Sequence, residues 1–423
     1  MAATIMTGRF PGIWGVLNEN LIISRMQDHI VVTADGDYHM LVNLGERGGL
    51  TMFTSTDGGV DWSYSFSVPN TGWRNTSDIQ LMPDGETLIV TYLNADKQVV
   101  YAEYDYDTDT NVWSQLSSAI VDPGPIGASA HPTVAFSAEG YPLVAYTEIE
   151  DGTVELTVAI AAPDGTPWTL LKAEVPGASY GSALVVSTSD TNGVILTTDD
   201  SVRWIALEDG KYVNEELLPV TTVGHFGSHF TTVTYQDDIY LMTAATTGDL
   251  YFTIYDTESH EWSMPRVLSV PGVEISSVQL SVSDAGNFYV TVDDLNQPSL
   301  LYVLESTDGG QTWHPDKTLV TPTGYLDATI RFEAPEHFAD TLVIGNQVDD
   351  PIVSQANGLY TFVLDYGSAT PPSPPEPEPP VTPPSPPEPP SPPELGSHAP
   401  SGASWDGSHL HDWSYSHADA GWL

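Results

Sequence analysis

Ser306-Thr307-Asp308-Gly309-Gly310-Gln311-Thr312-Trp313 and Ser55-Thr56-Asp57-Gly58-Gly59-Val60-Asp61-Trp62 share one pattern, S-T-D-G-G-x-x-W, near opposite ends of the chain. Each follows a β-rich run, residues 300–304 and 50–54. The chemistry is that of a tight turn: the aspartate accepts backbone N–H bonds, the glycines supply positive φ, and the tryptophan folds back on the strand before it. Two copies so far apart call for weaker ones between them. These run from Asp105 to Trp113, Asp164 to Trp168, Asp209 to Tyr212 and Asp256 to Trp262.

Around these turns a longer unit repeats. Alternating β runs open it at residues 29–33, 79–82, 133–136, 183–187, 231–235, 278–282 and 329–332. The period of two marks strands, not helices. A polar turn and a second strand follow, as at 87–92 and 141–146, then a third strand that runs into the S-T-D-G-G turn or its worn copy. After the aromatic, a fourth strand leads to a Pro/Gly corner such as Val270-Pro271-Gly272. Four antiparallel strands per unit, repeated radially, predict an all-β propeller. Seven first strands predict seven blades, with six as the competing count. The last unit, within 21–368, stops before a fourth strand, and the leader 1–20 is expected to supply it through residues 10–17 around Trp14. Such closure hides sheet edges.

The repeats resemble the Asp-box (BNR) repeats of sialidase-like β-propellers over residues 21–368. The box residues are Ser55, Asp57, Gly59 and Trp62 in one full copy and Ser306, Asp308, Gly310 and Trp313 in the other, with Trp113, Trp168 and Trp262 in worn copies. The resemblance implies that the box lies between third and fourth strands, away from the usual ligand face. It speaks to architecture and not to activity.

The 423 residues include 57 Asp and Glu against 11 Lys and Arg, a formal net charge of -46. Concentrated salt screens such self-repulsion, so the composition points to a halophilic setting. Nucleic acid is excluded as a partner, because phosphate binding needs clustered cations. The absence of cysteine removes disulfides and thiolate metal sites. No basic-then-apolar leader opens the chain, and no apolar run reaches the ~18 residues of a membrane span. Synthesis in a host cytoplasm and release within a virus particle fits these features, which places the protein on the virion surface.

Composition changes after Ser368. Residues 369–394 are almost entirely Pro, Ser and Glu and predict an extended polyproline stalk of about 70 Å. Residues 395–423 carry Trp405, Trp413 and Trp422 with His409, His411 and His417. Tryptophans on a polar peptide read as anchors for docking on a partner, here other virion proteins. His409-x-His411 matches no specific metal-ligand spacing.

Function is expected at the face opposite the boxes, where residues preceding the first strands ring the central mouth. The ligand candidates are Arg25, Trp73, Arg74, His131, Tyr180, His225, His229, Tyr325 and Asp327, groups that stack on and hydrogen-bond a sugar. Ser24-Arg25-Met26-Gln27 occupies the place of the Arg-Ile-Pro motif of sialidases but lacks its Ile and Pro, and no Tyr–Glu pair is recognisable. No catalytic residue is therefore assigned and no cofactor is expected, although acidic loops (Asp199-Asp200, Asp293-Asp294, Asp349-Asp350) leave structural Ca²⁺ or Mg²⁺ open. The sequence is read as a virion appendage, a spike, turret or tail-associated adhesin, whose head attaches to host surface glycan or S-layer glycoprotein. No membrane partner is expected, and homo-oligomerisation stays open. A glycoside hydrolase acting on acidic glycans is the alternative, and a ligand-free decoration protein the third.

Overall fold

The computed structural model describes residues 4–9, 21–22, 26–45, 48–72, 75–127, 130–137, 139–162, 167–199, 201–220, 229–245, 247–321, 326–349 and 357–367. The stalk, the C-terminal segment and the leader residues 10–20 lie outside them. Every regular element among the described residues is a β-strand.

Seven antiparallel sheets form. Blade one contains Ile30–Val32, Tyr38–Asn43, Leu50–Ser55 and Ser63–Ser67. Blade two contains Ser77–Leu81, Thr87–Leu93, Val99–Asp107 and Val112–Asp122, and blade three Thr133–Phe136, Pro142–Glu150, Thr153–Ala161 and Trp168–Val175. Blade four is Gly181–Ser187, Asn192–Thr198, Val202–Glu208 and Lys211–Leu218. Blade five has Phe230–Tyr235, Asp238–Ala244 and Leu250–Asp256, with Glu261–Trp262 and Arg266–Leu268 sharing its outer position. Blade six is Val278–Ser283, Phe288–Asp293, Leu300–Ser306 and His314–Val320. Blade seven takes Leu326–Glu333, Thr341–Asp349 and Asn357–Asp365 from the end of the propeller and Thr4–Arg9 from its beginning.

Thr4–Arg9 pairs antiparallel with Asn357–Asp365, Thr4 opposite Asp365 and Arg9 opposite Tyr360. The closing strand thus comes from the leader, as expected, but it lies upstream of residues 10–17. The expected residues 10–17 lie outside the described residues.

The core is divided among the blade interfaces. Seven apolar clusters fill the joints between successive blades, and the one joining blade seven (Val343, Leu359, Val363) to blade one (Met40, Phe53, Trp62) completes the ring. Strands with both faces against neighbouring blades are buried throughout, as Tyr38–Asn43 and Phe288–Asp293 are. One irregularity breaks the pattern. His337–Phe338, just beyond the inner strand of blade seven, pairs parallel with Val282 and Ser283 of blade six. It carries Pro335 and Glu336 into the axis of the ring.

The two S-T-D-G-G turns sit between third and fourth strands of blades one and six and have the same geometry. Ser306 Oγ donates to Asp308 Oδ1 (2.8 Å) and accepts the Gly310 N–H (2.9 Å). Asp308 Oδ1 accepts the N–H groups of Gln311 and Thr312, and Trp313 Nε1 donates to the Gly310 carbonyl at 3.2 Å. Ser55, Asp57, Gly59 and Trp62 repeat these bonds. The Thr312 hydroxyl and the turn N–H groups hold the Asp308 carboxyl down at about 2. Each turn also grips the preceding blade: Thr361 of blade seven donates to the Gly59 carbonyl (2.8 Å), and Arg266 of blade five to that of Gly310 (3.0 Å). In the worn copies part of this is lost. Asp107 and Asp256 still cap their turns, but the indole N–H groups of Trp168 and Trp262 are buried without an acceptor.

Candidate functional site

The inner strands of the blades surround the axis, and their starts are stitched together by side chains. Asp78 Oδ1 of blade two accepts the Asp28 N–H of blade one (2.6 Å), and its Oδ2 accepts the Val134 N–H of blade three (2.7 Å). Gln27 donates to the Pro132 carbonyl (2.6 Å), Thr133 to that of Ala183 (3.1 Å), and His229 Nδ1 to that of Ser276. A buried polar group must find such partners or incur a penalty of about 1–3 kcal/mol, which accounts for polar side chains on a surface shared by three blades.

Of the candidates named from sequence, Arg25, Trp73, Arg74, His225 and Tyr325 lie outside the described residues. Asp327 falls on the inner strand of blade seven. His229 is buried and serves as a staple between blades five and six. Tyr180 accepts a bond from Ser182 at 3.3 Å. His131 is half-buried, and burial and then the nearby Arg331 push its imidazole down to about 4. His131 thus stands with Arg331 and His29 at the strand-start end of the axis.

Farther in, four carboxyl groups converge from blades one, two and seven. Asp28 and Asp78, and Glu333 and Glu336 from the irregular end of blade seven, are all held above their ordinary range, in each case chiefly by burial. Their mutual repulsion adds to this for Asp28, Asp78 and Glu333. Asp28 hydrogen-bonds Glu336, whose carboxyl is raised to about 7. Burial and the neighbouring carboxyls thus favour the protonated form of Asp28. His29 Nδ1 lies 3.0 Å from Glu333 Oε2. Burial pushes His29 down to about 4 and Glu333 upward, so it favours the neutral form of both partners.

Asp28, Asp78 and Glu336 form the floor of a cavity of about 840 Å³. Its walls are the later halves of the inner strands, and its exposed mouth is the ring of first-to-second-strand turns at Pro83, Ser189, Asp237 and Asp284. It therefore opens on the side of the S-T-D-G-G turns, the end of the axis opposite to His131 and His229. Asp28, Asp78 and Glu336 supply carboxyls, Ser187, Thr188, Thr232 and Thr234 hydroxyls, and Leu81, Met82 and Phe136 apolar surface. Gln80 lines the wall with its Oε1 buried and without a hydrogen-bond partner. No Lys or Arg is among the described lining residues.

The acidic loops spend their oxygens locally. Asp293 accepts from Ser276 and Ser277, Asp199 from Ser179, and Asp249 from Thr247 and Ser269. Among the described residues no three His, Asp or Glu side chains are arranged to hold a metal ion.

With this geometry in hand, the chain can be set beside known proteins. No protein-family model matches it, and no curated protein does. Solved structures do. The polysaccharide lyase Uly1 superposes with a TM-score of 0.50 at 11% identity, over 82% of this chain and 91% of that one. A PL25 ulvan lyase gives 0.50 at 10% identity, over 83% and 96%. The six-bladed fucose-binding lectin of the fungus Aleuria aurantia gives 0.47 at 13% identity, over 73% and 100%. What the two lyases share with the chain is its overall fold. In this chain it is a seven-bladed β-propeller.

Glu333, Glu336 and Gln80 were not legible as site residues in the sequence. Asp28 and Asp78 show there only as residues preceding first strands. The one signal for Glu336 is the irregular turn of the seventh unit, residues 336–340, where the other units have a short Gly or Asp turn.

Proposed function

We propose that the head is a non-enzymatic receptor-binding module that takes a neutral glycan in the axial cavity. It is carried on the proline-rich stalk and anchored through residues 395–423 to a larger particle, as a virion appendage in a salt-rich environment. The observation that carries the reading is the cavity itself: acceptors on its floor, hydroxyls and apolar faces on its walls, and the unpartnered Gln80 Oε1 among them. A polyol supplies donors for Gln80 Oε1 and the carboxyls, and an apolar ring face for Phe136. A uronate or sialate is disfavoured, because no Lys or Arg lines the wall and Glu336, once ionised, repels a carboxylate. The lyases of like fold are named for carbohydrate substrates, so carbohydrate is the ligand class to test first.

The carboxyl geometry favours binding over hydrolysis. Glycosidases keep their two carboxyls about 5–9.5 Å apart so that a sugar fits between them. Asp28 and Glu336 interact directly with each other, which leaves no room for a sugar between this pair. A glycan array probed with the full chain in molar salt should light up on neutral oligosaccharides and stay dark on sialosides and uronides. A blank array, or binding confined to acidic glycans, contradicts the reading. Turnover of neutral glycosides that is lost in Glu336→Gln would replace it with a hydrolase.

A further inference from the structure

The joint between blades three and four is not filled to its outer edge. There the outer strands Trp168–Val175 and Lys211–Leu218 flank a cavity of about 280 Å³. A small residue opens it. Val68-Pro69 and Val175-Pro176 end the outer strands of blades one and three alike, and two places before each valine stand Phe66 and Ala173. Phe66 pairs with Met52 and Ala173 with Leu156, and Met52 and Leu156 each pack toward the following blade. Phe66 fills its joint by stacking on Tyr104 of blade two at 4.4 Å. The methyl group of Ala173 leaves the corresponding place between blades three and four open.

A second substitution changes its chemistry. The third strands of blades two and four open with Val99 and Val202, and the next residue is Val100 in one and Arg203 in the other. Val100 is buried in its joint, whereas Arg203 brings a guanidinium to the cavity wall on a side chain only 24% exposed. A cation so covered is costly unless its donors are used. Its Nε donates to Ser201 Oγ (3.2 Å) and its Nη1 to Glu215 Oε1 (2.7 Å). Three of its five N–H groups are left without an acceptor among the described residues. The buried Leu156, Leu196 and Ile205 give the cavity an apolar floor. The Tyr212 ring is part of its lining, with the hydroxyl engaged across the joint by the Leu171 carbonyl at 3.0 Å.

We infer that this joint is a second binding site, one that takes a single ring of a neutral sugar. A guanidinium beside a carboxylate offers a donor and an acceptor side by side, the match for two adjacent hydroxyls, and the aliphatic floor takes the C–H face of the ring. The volume suits one ring, since sites for larger ligands run to about 300–1,000 Å³. Charge decides against an acid. Glu215 neutralises Arg203, and Glu174 adds a second carboxylate to the lining, so an anion meets net negative charge. Binding here is independent of binding at the axis: the two cavities have no lining residue in common, and the axial one has no Lys or Arg among its described residues.

Saturation-transfer NMR with neutral methyl glycosides of hexoses, deoxyhexoses and pentoses tests the site. It is run on the full-length Gln80→Trp chain in molar salt, whose axial cavity is filled, so the signal reports the joint alone. At least one sugar should bind, in the millimolar range expected of a ligand of about a dozen heavy atoms. Adding Ala173→Phe, the residue blade one has at this place, should abolish the signal and leave the β-sheet spectrum unchanged. Arg203→Met keeps the hollow, removes the donors and should weaken binding ~10-fold or more. A Gln80→Trp chain that binds none of these sugars overturns the inference; if Ala173→Phe also raises its melting temperature, the hollow is a packing defect. Binding that survives Ala173→Phe, or that Arg203→Met leaves unchanged, overturns it as well.

Discussion

Replacing Gly310 by alanine should destabilise the head by about 2–5 kcal/mol, the sum of a left-handed backbone imposed on an L-residue and a side chain forced into a filled joint. Gly310 has φ +77, and a Cβ built on it would lie 2.2 Å from the Phe252 ring of blade five. Phe252 is buried and meets Trp313 edge-on at 5.6 Å, so the ring has nowhere to retreat. Its neighbour separates the two causes. Gly309 also has positive φ, +69, but a Cβ there meets nothing within 4 Å. Gly309→Ala should therefore cost only the backbone term, about 1–2 kcal/mol. Gly59→Ala should behave like Gly310→Ala, because φ is +88 and the added carbon would lie 2.6 Å from Val343 of blade seven. Chemical denaturation of the three variants gives the comparison. Equal losses at Gly309 and Gly310 would mean that the turn holds its own backbone and does not clasp the preceding blade.

Glu336→Gln should stabilise the head by at most about 3 kcal/mol at pH 8 and by almost nothing near pH 4.5. Burial raises this carboxyl from its ordinary 4.5 to about 7. Between those values the unfolded chain has released the proton and the folded chain still binds it, so this group's contribution falls as pH rises through the window and is flat above it. Glutamine retains an oxygen to accept the Asp28 proton and never ionises. Wild type alone would conceal the effect, because buried histidines act in the opposite sense. His29 and His131 are pushed down to about 4 and His39 to about 3, in each case chiefly by burial. The unfolded chain binds the extra protons there, so stability rises with pH from about 4 to 6.5. The difference between wild type and Glu336→Gln cancels those terms. A variant less stable than wild type by the same amount at both pH values would show that the carboxyl is hydrated.

How far each feature could be read from sequence follows the range of the interactions behind it. The blades were legible because strand alternation and the Ser-x-Asp-Gly-Gly turn are local. Residues 133–136 were expected as an inner strand, and Thr133–Phe136 is one. The count of seven was legible because the turns recur, and ring closure because the seventh unit lacks a strand. The strand Thr4–Arg9 itself was not, since nothing in its alternation sets it apart from the more apolar run around Trp14. That the boxes bridge blades depends on what stands opposite a glycine, Phe252 or Val343, and no pattern along the chain encodes it. The carboxyl floor is less legible still. Asp28 and Glu336 are more than 300 positions apart, and in a chain with 57 acids neither a place before a first strand nor an irregular turn singles them out as partners. Burial alone sets them apart, and burial is a property of the closed ring.

Binding at the axial cavity is the central claim, and calorimetric titration of an array-positive neutral glycan into wild type and Gln80→Trp tests it most directly. Gln80 sits half-buried in the cavity wall, so an indole there fills the space a sugar would take. Wild type should bind, and Gln80→Trp, with its β-sheet spectrum unchanged, should bind at least ~100-fold more weakly, a loss of about 3 kcal/mol. Equal affinity in the two proteins would place the ligand elsewhere on the head and contradict the account.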